Sequence, residues 1–271
     1  MELYYLILLL LGLAAGLLAG LFGIGGGILF TPILFLLFND AGLDQPVLWT
    51  IGSSLFCTFI AAFGSSVRQY RQDNFFWVEG AKVGVLGALG VTAGKWVITS
   101  GYYTEKEFVL LFSFLFLYVA FMFFRRGKTP DAEIESDLGA VDLKMAGVAG
   151  GAGGFVAALA GIGGGGVMVP VLNLFYGQPI QKTVSVSSLA IVFISLSGVV
   201  QLALIEAPGN ALSGFALGAV DLGTALPLAL GGLAGGFAGA YLNLKINRRY
   251  LQYGFALLAL AMSIRLIAEI Y

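Results

Sequence analysis

Gly23-Ile24-Gly25-Gly26-Gly27-Ile28-Leu29-Phe30-Thr31-Pro32, written GIGGGILFTP, interrupts one of the most apolar segments of the chain. An apolar helix accommodates these residues poorly, glycine for its backbone entropy and proline for its missing N–H and its ring clash. The pattern returns as GIGGGGVMVP at Gly161 to Pro170, again with proline nine positions after the first glycine.

Around these stretches the chain is apolar almost throughout. Of 271 residues, 59% are hydrophobic and 11% charged, and the mean hydropathy is +0.94. Soluble domains carry about 25% charged residues, so this chain lacks the polar surface to face water on all sides. Apolar runs cover 3–22, 28–38, 47–67, 75–99 and 104–124, then 145–160, 167–176, 183–205, 214–243 and 249–270. Several reach the roughly 20 residues that cross a bilayer. The composition predicts an all-α polytopic membrane protein with the lipid bilayer as its solvent. A net charge of −1 offers nothing to nucleic acid. The start, MELYYLILLL, carries Glu2 and no basic region, so no cleavable signal peptide is expected.

The absence of histidine removes His-based nucleophilic catalysis and most transition-metal chemistry. No catalytic residue, metal or cofactor is therefore expected. Cys57 is the lone cysteine; it has no internal disulfide partner and reads as a small packing residue.

The chain divides into two halves of similar layout, 1–124 and 145–271, joined by the hydrophilic linker 125–144. Beyond the glycine stretches, Gln45-Pro46 matches Gln178-Pro179, Ser53-Ser54-Leu55 matches Ser187-Ser188-Leu189, and Gly64 matches Gly198. Gly90 and Gly94 likewise match the spacing of Gly235 and Gly239. If each glycine stretch turns the chain back to the face it came from, each half has three further crossings and the halves are inverted. If each stretch completes a crossing, the halves are parallel. Lys and Arg prefer cytoplasmic loops. The hairpin arrangement places 11 of the 14 basic residues inside, leaving Lys95, Lys106 and Arg265 outside, against roughly 8 to 6 for the parallel one. The charge pattern therefore predicts inverted repeats, each with a re-entrant hairpin plus three transmembrane helices. Both termini are expected outside and the linker inside.

Backbone groups that leave helical pairing within a bilayer need partners in protein or in a water-filled cavity. Clustered glycines leave amides uncovered, and the short helix that follows each break starts with amides lacking intrahelical acceptors. Such starts bind anions. Gly23, Gly25, Gly26, Gly27 and Thr31, with Gly161, Gly163, Gly164, Gly165 and Gly166, are thus candidate substrate contacts. Broken helices at matching positions of inverted repeats point to a transporter site. Scattered glycines such as Gly12 and Gly84 read instead as close helix packing.

Two formal motif matches fail on context. Gly161-x-Gly163-x-x-Gly166 follows no strand and precedes no acidic residue about 20 positions on, and the stretch from Gly90 to Trp96 lacks P-loop spacing.

Hydroxyls near the breaks, Ser53 and Ser54 with Thr50, and Ser187 and Ser188 with Thr183, are able to donate to an oxyanion or to bond back to their own helices. Asp221, Glu79 and Lys95 are ionisable residues in apolar segments and are candidates for proton or charge coupling; for Lys95 and Lys82 snorkelling to the interface is the plainer role.

The duplicated G-x-G-G-G-x4-P element, the Gln-Pro and Ser-Ser-Leu landmarks and the two-half layout resemble the sulfite exporter TauE/SafE family of bacterial membrane permeases, over nearly the whole chain. The resemblance implies a multi-pass protein of the inner (cytoplasmic) membrane that moves a small sulfur-containing anion such as sulfite, thiosulfate or an organosulfonate. The single cysteine argues against passing sulfur between cysteines. An anion channel of the same architecture is the alternative, and an intramembrane enzyme is the third reading. The sequence leaves open the anion, the direction and the oligomeric state.

Overall fold

A computed structural model of the chain describes residues 2–22, 27–71, 75–126, 139–243 and 248–270. Gly23, Gly25, Gly26 and most of the linker lie outside the described residues. The architecture is all-α, with one minimal two-stranded ribbon. The first half contributes α1 (Glu2–Phe22), α2 (Gly27–Asp40), α3 (Pro46–Arg71), α4 (Trp77–Ile98) and α5 (Glu105–Arg126). The second contributes α6 (Leu143–Ala160), α7 (Gly165–Pro170) running into a π-helix (Val171–Phe175), then α8 (Ile180–Ala203), α9 (Leu222–Asn243) and α10 (Arg248–Ile270).

Among the described residues, six helices are long and apolar enough to cross a membrane: α1, α3, α4, α6, α8 and α9. At 1.5 Å per residue, the 22 residues of α4 extend about 33 Å. Trp77 near its start and Trp96 near its end are both exposed. Their 19-residue separation corresponds to about 28 Å, close to the thickness of a hydrocarbon core. Interfacial tryptophans at this spacing mark the two membrane surfaces along α4.

Glycine contacts fix the direction of the packed pairs. A side chain at Gly12 or Gly16 of α1 would strike the backbone of Leu228 or Gly232 of α9, so these helices run parallel at backbone contact. Gly150 and Gly154 of α6 abut Val83 and Gly87 of α4 in the same parallel sense. Small residues allow this approach, and dispersion and interhelical contact hold helices together where lipid removes the hydrophobic driving force. In contrast, α3 and α8 are antiparallel: Ser65 meets Ser188, and Leu55 meets Gly198. Parallel contacts also join α3 to α9 (Cys57 to Ala225, Gly64 to Leu233) and α4 to α8 (Gly80 to Leu189, Gly84 to Phe193). Traced through these contacts, α1, α3 and α9 point one way and α4, α6 and α8 the other. Thus α1, α3 and α4 oppose α6, α8 and α9, respectively.

The second glycine stretch turns the chain back. Gly164 packs against the backbone of Gly153 in α6, and Met168 lies against Gly153 as well. Farther on, Lys182 Nζ at the start of α8 donates to Gly139 O just before α6, at 2.7 Å. The leg after the break has therefore returned to the face where α6 began. In the first half, Phe35 of α2 stacks on Phe108 near the start of α5 with centroids 5.0 Å apart. Phe108, Phe112 and Phe116 continue one buried stripe along α5.

Two local features differ from the apolar runs. The run 214–243 is not one helix: Ala216–Leu217 pairs antiparallel with Val220–Asp221 before α9 starts at Leu222. Gly214 and Gly218, both at positive φ, bend the chain there. After Pro170 the helix widens into a π turn, as expected where a ring and a missing N–H disturb the i to i−4 ladder.

Candidate functional site: the glycine break

Helix α6 ends at Gly161, whose N–H donates to Ala157 O at 2.8 Å and whose φ of 71° is left-handed. Gly163 and Gly164 also hold left-handed φ, 71° and 79°, before the next leg starts at Gly165. Only glycine adopts three such conformations in four residues without strain. The amides of Val167 and Met168 pair with Gly164 O, both at 3.0 Å. The amides of Ile162, Gly163, Gly164, Gly165 and Gly166 have no acceptor among the described residues. Residues 161–165 are buried. Buried amides in a membrane protein require a partner, so this turn is a cluster of donors in need of acceptors.

Its depth follows from packing. Gly164 sits on Gly153, and the neighbouring Gly154 sits on Gly87, midway between Trp77 and Trp96 on α4. Gly164 therefore lies level with the middle of α4, while the end of α6 reaches toward Trp96, where Ala158 abuts Gly94 and Leu159 O accepts from Tyr103.

The first half supplies the opposite wall. Ser54 Oγ donates to Gly161 O at 3.1 Å and to Ile51 O at 3.2 Å. Thr58, one helical turn on, reaches Gly161 O at 3.5 Å. Gly27, which opens α2, lies so close that an added Cβ would stand 2.8 Å from Ile162 O. Thr31 Oγ1 donates to Gly27 O at 3.1 Å and is fully buried. So Gly27, Thr31, Ser54 and Thr58 from one half meet Gly161, Ile162 and Gly163 from the other, while Gly164 and Gly165 pack within the second half, against Gly153 and Ile191.

Other expected contacts stand apart from the turn. Ser53 Oγ accepts the Asp221 N–H at 3.0 Å. Ser187 and Ser188 bond back to Val184 O, and Ser188 also meets Ser65 Oγ at 3.1 Å. Thr183 bonds back to Pro179 and Ile180, whereas Thr50 Oγ1 is buried without a partner among the described residues. Gly166, at the edge of the break, is only partly buried.

The ionisable candidates lie at helix starts and ends, Asp221 just before α9 and Glu79 and Lys95 in the first and last turns of α4. Asp221 is fully buried and takes four donors: Ser213 N at 3.1 Å, the Ser213 hydroxyl, Thr224 N at 3.2 Å and Thr224 Oγ1 at 3.1 Å. It is the N-cap of α9. Glu79 lies 3.6 Å from Lys182 Nζ. Lys95 ends α4, where a cation complements the helix dipole. Cys57 is buried, its Sγ 3.4 Å from Ala225 O. Among the described residues no group of His, Cys, Asp and Glu is placed to hold a metal.

The sulfite exporter TauE/SafE family model matches residues 8–266, which include both glycine stretches and all but the outer ends of α1 and α10. The chain belongs to that family. Among its relatives, a probable membrane transporter protein of Methanocaldococcus jannaschii is 25% identical, covering 91% of this chain and 89% of its own. One from Haemophilus influenzae is 27% identical over 97% and 98%, and YunE of Bacillus subtilis, also named a probable membrane transporter protein, is 26% identical over 98% of each. No solved structure matches the chain. This TauE/SafE member is thus a multi-pass membrane transporter. Sequence reasoning missed Thr58 at its break, although i, i+4 spacing from Ser54 puts both on one helix face.

Proposed function

We propose that this chain is a secondary transporter of a small sulfur-containing anion such as sulfite, thiosulfate or an organosulfonate, built as inverted repeats in the cytoplasmic membrane. The carrying observation is the run of four buried amides, 162–165, with the partly buried Gly166 beside them, none with an acceptor among the described residues, in a turn that returns to the level of the middle of α4. Backbone N–H donors suit an oxyanion and avoid the desolvation cost of a buried cation. The opposed directions of α1 and α6, α3 and α8, and α4 and α9 support the inverted repeat. Burial of the turn supports an occluded site worked by alternating access rather than a standing pore.

Orientation follows from charge. Among the described residues Arg68, Arg71, Lys82, Arg125, Arg126, Lys144, Lys182, Arg248 and Arg249 sit at the linker face, against Lys95, Lys106 and Arg265 at the other. The linker face is then cytoplasmic, with both termini outside. An inside-negative potential favours outward movement of an anion by about 2.3 kcal/mol per charge per 100 mV.

A ligand screen tests the reading. Purified protein heated with sulfite, thiosulfate, sulfoacetate or taurine should melt at a higher temperature with at least one of them. Saturation at 100 times Kd stabilises the folded form by about 2.7 kcal/mol. No shift with any of the four contradicts the substrate class.

A further inference from the structure

Lys182 is an unusual cation. Its side chain is 2% exposed, at the first turn of α8 on the linker face. Its ammonium has three protons to donate. One goes to Gly139 O at 2.7 Å. The nearest carboxylate, Glu79 of α4, stands at 3.6 Å, beyond hydrogen-bond distance and well beyond the roughly 2.8 Å of a tight charge-assisted pair. The Phe76 ring covers the ammonium at 5.3 Å. The charge is buried and only loosely neutralised, and Glu79 is the less buried partner, at 17% exposure.

The repeat makes the position more telling. Three residues after the Pro of each Gln-Pro landmark stands Trp49 in the first half and Lys182 in the second. Both are buried, and Trp49 Nε1 is a donor without an acceptor among the described residues. The surroundings are alike in kind, though not in register: Phe76 N before α4 donates to Ser185 Oγ at 3.3 Å, and Asp221 N before α9 to Ser53 Oγ at 3.0 Å. The matched position after Gln-Pro thus carries a cation in one half and a neutral donor in the other, a difference that closing the two faces alike would not require.

We infer that Lys182 is the anion-recruiting residue of the linker-side route, and that Glu79 is its displaceable counter-ion, holding the ammonium until an incoming oxyanion replaces the carboxylate. The inference rests on the anion-transport reading above. Ile191, which lines the glycine turn, is nine residues along α8 from Lys182, roughly 13 Å deeper. One unit charge at that range, in a medium of effective dielectric about 20, changes anion binding about tenfold.

The test titrates sulfite, thiosulfate and sulfoacetate into purified wild type, Lys182→Gln, Lys182→Arg and Glu79→Gln, and reads the half-stabilising concentration in thermal unfolding. Lys182→Gln should weaken anion binding about tenfold, Lys182→Arg should stay near wild type, and Glu79→Gln should tighten binding roughly three- to tenfold. An ion pair with only a structural role predicts weakening, or no change, in Lys182→Gln and Glu79→Gln alike; that result overturns the inference and leaves the anion reading standing. If Lys182→Gln does not fold, Glu79→Gln decides alone: tighter binding supports the inference, and unchanged or weaker binding overturns it. A wild type that responds to none of the three anions overturns this inference together with the transport reading on which it rests.

Discussion

Gly164→Ala is expected to abolish transport and to destabilise the protein by several kcal/mol. Gly164 is at φ 79°, and its Cβ would fall within the carbonyl group and Cα of Gly153. The left-handed conformation alone costs a non-glycine residue about 1–3 kcal/mol. Overpacking adds a similar amount, and here the obstacle is helix backbone, which has no rotamer to change. The leg after the break must then lift off α6, pulling on the turn whose Gly161 O accepts from Ser54 and Thr58. Gly153→Ala is the control, because its Cβ would meet mainly the side chain of Met168. Methionine repacks readily, so this variant should retain transport with a smaller loss. Transport in whole cells, with unfolding of purified protein in detergent, checks both.

Asp221→Ala should cost roughly 3–5 kcal/mol. A lost N-cap accounts for about 0.5–2 kcal/mol, and each buried donor left unpaired costs about 1–3 kcal/mol more. Four donors converge on this carboxylate, and they fasten the ribbon and the segment before it to the start of α9. Asp221→Asn keeps one acceptor oxygen and should lose about half as much. Because capping accounts for every contact of the carboxylate, transport by Asp221→Asn should keep the wild-type response to a pH gradient. A changed pH response would return Asp221 to the role of proton carrier.

Much of this arrangement was legible in the residues. Consecutive glycines within an apolar run have few uses in a bilayer beyond uncovering backbone, and their recurrence with the same spaced proline marked the break that the second half displays. The hydroxyls were legible only as a group. Ser53 and Ser54 are adjacent, and about 100° of helical rotation sends one to α9 and the other to the glycine turn. Which neighbour lies on which side is a tertiary fact, and so is the absence of Ser187 and Ser188 from the turn. Residues 214–221 read as helix because Phe215, Leu217 and Val220 are apolar. The ribbon there is set by Gly214 and Gly218 and by Ala219 N bonding to Leu202 O, a long-range contact that no local pattern announces. Lys182 counted only as one more basic residue in a loop; its burial depends on α4 and on Gly139.

The most direct test of the central claim is the position of a bound oxyanion. Selenite, the heavier analogue of sulfite, gives an anomalous signal in crystals of the protein soaked with it. The account predicts a selenium peak within hydrogen-bond reach of the amides of residues 162–166, between that turn and Ser54, Thr58 and Gly27. A peak confined to the loops at either membrane surface, with the glycine turn packed shut against its neighbours, would contradict it.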